Sequence, residues 1–175
     1  MTYLTCTPAL PLSELCAIRL DGELNSFHHF LDVPDEPRDR ARRILGRYAE
    51  VLVLSSWSAA WSLGCCPEPA QHIAAYRQKR VHIPDEANLI VEQRSLKPSD
   101  ISGLSTTPLR TVSDLLKIKT ESPLLTTTVN TLMTRFAVTP AMVIDRLSQN
   151  PTPSHKNLIL ARLDVLERLY PSETR

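Results

Sequence analysis

A threonine followed directly by a proline, Thr107-Pro108, constrains this chain more than any other feature. Thr107 is a good N-cap. Pro108 suits the first helical position, where a missing N–H is no loss. Behind them Leu109, Val112, Leu115 and Leu116 recur on one helical face, predicting a buried helix over residues 108–117. Arg110 and Asp114 stand four residues apart and can pair on that helix. The same punctuation returns at Ser122-Pro123 and Thr139-Pro140. These predict helices from 123 to about 136 and from 140 to 147. A last helix is expected from His155 to Tyr170, capped by Ser154, with Leu158, Ile159, Arg162, Leu163, Leu166 and Leu169 on one stripe. The second half therefore ends in three helices.

The first half reads differently. Val51-Leu52-Val53-Leu54 is a short apolar strand, followed by a helix through Trp57, Trp61 and Leu63, started by Ser55 or Ser56 and closed by Gly64. Two tryptophans four residues apart are read as core anchors. Residues 71–76 and 87–92 are two further strands, bounded by turn signals. The fold class this predicts is α+β: a small mixed β-sheet packed with helices, followed by a C-terminal three-helix segment. Residues 38–175 form that domain. Residues 1–37 hold a short helix and a hairpin-like stretch, the pattern of the last part of a winged helix.

Charge is unevenly spread although the net is +1. Residues 1–37 carry six acids and one base, whereas residues 38–80 carry eight bases and three acids. Arg38, Arg40, Arg42, Arg43 and Arg47 crowd one predicted helix over 38–49, and Arg77, Lys79 and Arg80 follow the second strand. Arg38, Arg42, Arg43, Arg47, Arg77, Lys79 and Arg80 are the candidate nucleic-acid or partner face. The other reading is a solvated face balanced by the acidic head.

Enzymatic signatures are scarce. The chain has no G-x-S-x-G, P-loop, G-x-G-x-x-G or H-E-x-x-H pattern, and only four glycines with which to cradle a phosphate. His28-His29 has only Asp32 nearby. Asp85, Glu86, Glu92 and Lys97 flank a turn and a loop rather than sharing a strand. Cys6, Cys16, Cys65 and Cys66 include no C-x-x-C pair and read as reduced thiols of a cytoplasmic protein. The spacing of Cys65, Cys66 and His72 is wrong for a closed zinc site. No catalytic residue, metal or cofactor is expected. No signal peptide or membrane span is expected either: Pro8 and Pro11 interrupt the first apolar run, and no stretch approaches the ~18 apolar residues a span needs.

Three stretches carry a family resemblance. Thr106 to Leu116 (Thr-Thr-Pro-Leu-Arg-Thr-Val-Ser-Asp-Leu-Leu) resembles the V-T-[ST]-P-x-R-T-x-x-D-L signature of AbiEi-type antitoxin domains. Val53 to Gly64 is similar to the V-x-S-x-x-[ST]-A-A-x-x-x-G segment preceding it. Ala17 to Leu24 resembles an N-terminal A-x-R-L-D-G-E-L. Asp100-Ile101 matches an acid-then-aliphatic pair between the two longer motifs. The resemblance implies a non-enzymatic antitoxin or transcriptional regulator whose partner is a nucleotidyltransferase-like toxin protein. DNA is a further partner through an N-terminal winged helix. It makes Thr106, Pro108, Arg110, Thr111 and Asp114 signature residues, with Arg110 and Asp114 as a structural clamp. This chain departs from the pattern at its N-terminus, where the expected recognition helix 14–20 has one base, Arg19. The central segment also occurs in larger proteins with a nuclease-like core. That core would start about where this sequence stops, so the alternative is a DNA-binding repressor or nuclease relative without its catalytic part.

Overall fold

The structure is a computed structural model and describes residues 36–77, 89–93, 96–149 and 155–170. The winged-helix-like segment, the His28-His29 pair, Lys79, Arg80, Asp85, Glu86 and Ser154 lie outside the described residues.

Among the described residues five strands form one mixed sheet: β1 (Leu52–Leu54), β2 (His72–Tyr76), β3 (Leu89–Glu92), β4 (Ile101–Ser102) and β5 (Ser105–Thr106). Their order is β3-β2-β1-β5-β4. β1 is central, and all three of its residues are buried, as an unbroken apolar run predicts for a strand covered on both faces. It pairs antiparallel with β2, placing Leu52 opposite Tyr76, and parallel with β5, placing Leu54 opposite Ser105. β2 and β3 run parallel, and β4 and β5 antiparallel.

Among the described residues six α-helices accompany the sheet: α1 (Pro37–Leu45), α2 (Ser56–Ser62), α3 (Pro108–Leu115), α4 (Pro123–Arg135), α5 (Pro140–Ser148) and α6 (Lys156–Leu169). The expected α+β class is the observed one. The three hydroxyl-proline pairs start α3, α4 and α5. Thr107, Ser122 and Thr139 accept hydrogen bonds from the N–H of Arg110, Leu125 and Met142 at 3.4, 3.1 and 3.3 Å.

Some boundaries differ from the sequence reading. α1 stops at Leu45, because Gly46 takes φ +49 and ψ −125, a conformation closed to other residues. The chain then continues as a 3-10 turn, Gly46–Tyr48, not as α-helix to 49. Ser55 holds the N-cap position of α2, but its hydroxyl makes no capping bond, and Ser56 enters the helix with φ +51. α6 begins after His155, which is left-handed with φ +68.

Two hydrophobic clusters share α2. Ala59 and Trp61 face the cluster formed by α1, β1 and β2, around Ala41, Leu45, Leu52, Leu54 and Ala74. Ala60 and Leu63 face the cluster formed with α3 to α6, around Leu115, Val129, Leu132, Val143 and Ile159. Trp61 is the core anchor expected of it, and Trp57 packs at the margin of the second cluster.

Candidate functional site

The signature residues converge where β5 passes into α3. Thr106 and Thr111 are fully buried. Their hydroxyls lie 2.8 Å apart, and Thr111 donates to the Thr107 carbonyl at 3.0 Å. This holds the end of β5 against the first turn of α3. Pro108 sits at the first helical position.

Arg110 is the hub of a charge network. Its Nε donates to Asp114 Oδ2 at 2.8 Å, the intrahelical pair expected from spacing. Its terminal nitrogen also reaches Asp100 Oδ2 at 2.9 Å. Asp100 closes the short 3-10 turn Pro98–Asp100 before β4. Its other oxygen takes Arg146, from α5, at 2.6 Å, while Asp114 Oδ1 takes Lys117 at 3.3 Å. Both carboxylates are almost wholly buried, so each needs its cations. Burial alone raises the Asp100 pKa. The hydrogen bonds from Arg146 and the Lys97 backbone, with the charges of Arg146 and Arg110, outweigh it and hold the carboxyl below its ordinary range. Arg110 and Asp114 thus form half of a clamp joining α3, the turn before β4, and α5. Arg146 could not be found from the signature, because α5 is remote in sequence.

A second unforeseen cluster lies at the start of α2. Ser58, His72 and Glu68 stand in a row: Ser58 Oγ is 3.3 Å from His72 Nδ1, and His72 Nε2 is 3.2 Å from Glu68 Oε1. The row has the residue types of a nucleophile relay. Ser58 is fully buried, however, and its oxygen accepts the Ile73 N–H at 2.7 Å. No substrate carbonyl can approach it, and the row ties β2 to α2. Among the described residues no group of three His, Cys, Asp or Glu could hold a metal ion. Cys65 and Cys66 are free thiols. Burial raises both pKa values, that of Cys66 to about 12.

The candidate basic face is exposed at Arg38, Arg42, Arg43 and Arg47. Arg47 lies over the ring of Tyr48, 5.0 Å from its centroid, and bonds its hydroxyl at 2.8 Å. Arg77, at the end of β2, donates to the Gly103 carbonyl at 2.7 Å, and its backbone N–H donates to the carbonyl of Val51, which follows the 3-10 turn Gly46–Tyr48. Arg40 turns inward and donates twice to the Ser62 carbonyl at the end of α2.

The C-terminal helices leave apolar surface open. Two grooves run between α4 and α6. The first, about 360 Å³, lies near the start of α4 and is lined by Leu125, Val129, Val165 and Leu166 with Arg162. The second, about 740 Å³, lies past the end of α4 and includes Met133, Pro140, Leu169 and Tyr170. Leu124, Val165, Leu169 and Tyr170 are 50%, 49%, 59% and 42% exposed. Leu124 and Leu169 were expected among the apolar residues of their helices, and Met142, also expected inward, is 43% exposed. Among the described residues no helix is long and apolar enough to cross a membrane. No family model matches the chain, and no curated protein or solved structure matches it.

Proposed function

We propose that this chain is a non-enzymatic, antitoxin-like regulator that works by covering a nucleotidyltransferase-like toxin. The observation that carries the reading is the groove past the end of α4, where Leu169 and Tyr170 stay largely exposed beside Met133 and Pro140. Large apolar side chains clustered at a concave surface suit a protein partner. The resemblance at residues 17–24, 53–64 and 106–116 supplies the class of partner.

The test is co-expression with a nucleotidyltransferase-like protein encoded beside this one. The two should co-purify, and growth arrest by the toxin should be relieved. Leu169→Asp should break the complex while leaving thermal stability within about 0.5 kcal/mol, as befits an exposed position. If no complex forms across several salt conditions, the reading fails.

A second reading rests on the exposed arginines of α1 and the turn after it. It makes the chain a DNA-binding repressor, or a relative of the nuclease group without its catalytic core. A mobility shift on its own promoter that weakens steeply with salt, and drops on Arg42→Ala with Arg43→Ala, would favour it. No shift at low salt would dispose of it.

A further inference from the structure

Among the buried charges of the described residues, Asp100 and Asp114 each have an arginine within 3 Å. Arg162, on α6, is 8% exposed, and its ion pair is with Glu121, whose side chain is 81% exposed and whose oxygen stays 4.0 Å from Arg162 Nε. That separation is beyond hydrogen-bond distance. Its terminal nitrogens donate to the carbonyls of Leu116, Ile118 and Lys119, which follow α3. A guanidinium has five N–H donors, so two remain after these three bonds. Arg162 lines the first groove, whose apolar walls are Leu116, Leu125, Val129, Val165 and Leu166, with Glu121, Ser122, Pro123 and Thr126 completing its lining.

We infer that this groove binds a small monocarboxylate with an alkyl or aryl tail. A buried cation without a close counter-charge favours an anion, and a carboxylate accepts two parallel N–H bonds from a guanidinium edge. The apolar walls take the tail. A volume of about 360 Å³ lies within the range of small-molecule sites, roughly 300–1,000 Å³. Glu121 stands where the incoming carboxylate would go and must swing into solvent. The site adjoins the groove past the end of α4, with which it shares Leu166, and its test involves no protein partner.

Octanoate is the probe, titrated into the full chain by isothermal calorimetry, with n-octanol as the uncharged control. Arg162→Ala would strip the carbonyls after α3 of their donor, so the variants are placed on the rim. Saturable octanoate binding is expected, with n-octanol about tenfold or more weaker. Glu121→Gln should tighten octanoate severalfold by removing the competing charge. Val165→Asp, at a half-exposed position, should weaken it about tenfold or more. The inference is overturned if octanoate gives no saturable binding. It is equally overturned if n-octanol binds as well, or if Glu121→Gln leaves the affinity unchanged.

Discussion

Asp100 carries more of this fold than its place in a three-residue turn suggests. Its backbone carbonyl accepts the Thr107 N–H at 2.9 Å, and its carboxylate joins Arg110 and Arg146 from two helices. Removing its charge leaves the largely buried guanidinium of Arg146 without this acid and that of Arg110 with Asp114 alone. Asp100→Asn should therefore cost on the order of 3 kcal/mol at neutral pH. The pH dependence follows from the direction of its shift. The folded-state pKa is lowered, so the stabilisation is complete above the unfolded value of about 4 and is lost as pH falls through the folded one. Urea unfolding of the wild type and Asp100→Asn between neutral and strongly acid pH checks both statements. The gap between them should close only below about pH 4, and a constant gap would mean that the carboxylate charge is not what matters. The Arg110–Asp114 half of this network was legible from spacing, because four residues is one helical turn. Its other half was not, because Asp100 and Arg146 meet Arg110 only after the chain has folded back.

At the level of elements, helix ends account for much of the specificity. α2 closes with a left-handed Gly64, φ +73. The Gly64 N–H bonds the Trp61 carbonyl and the Cys65 N–H bonds the Ala60 carbonyl, the pairing of a Schellman motif. Arg40 and Arg135, from α1 and α4, then cover the carbonyls of Ser62, Leu63 and Gly64. α4 ends in the same way at Val138 N–H to Met133 carbonyl, but the left-handed residue is Ala137, with φ +51. An L-residue there costs roughly 1–2 kcal/mol, against roughly 0.5–1 kcal/mol of extra chain entropy for glycine. Ala137→Gly should therefore raise stability by about 0.5 kcal/mol, measurable as a small upward shift in the urea midpoint at constant slope. A loss of stability would show that Ala137 is not strained. Gly64 was recognised in the sequence as a helix stop because glycine announces the left-handed region. Ala137, Ser56 and His155 carry no such signal, since none of the three is a glycine.

Across the whole molecule, α2 joins two clusters that the sequence presents as separate halves. Six of its seven residues are buried, with Ala59 and Trp61 on the sheet side and Ala60 on the helical side. A shared wall of this kind couples the clusters into one unfolding unit. Truncating Leu132, which is fully buried in the helical cluster, should lower stability by roughly 2–5 kcal/mol. The transition should still coincide when followed by tryptophan fluorescence, dominated by α2, and by far-ultraviolet dichroism. Two separated transitions in Leu132→Ala would mean that the halves fold independently.

The sequence by itself determined where helices begin and what they bury. Hydroxyl-proline pairs and apolar periodicity are local properties, read within a few residues, and they place α3, α4 and α5 and the central strand β1. Even Arg162 was found on its stripe, inside the run of leucines that buries it. Tertiary structure decided what each charge meets. Arg146 was assigned to Asp100, Arg162 to the carbonyls after α3, and Arg40 to the end of α2, all across more than twenty residues of chain. It also decided which leucines stay uncovered, because Leu124 and Leu169 satisfy the same period as their buried neighbours. A helical period identifies an apolar face, but only the packing of neighbouring helices determines how much of that face is closed.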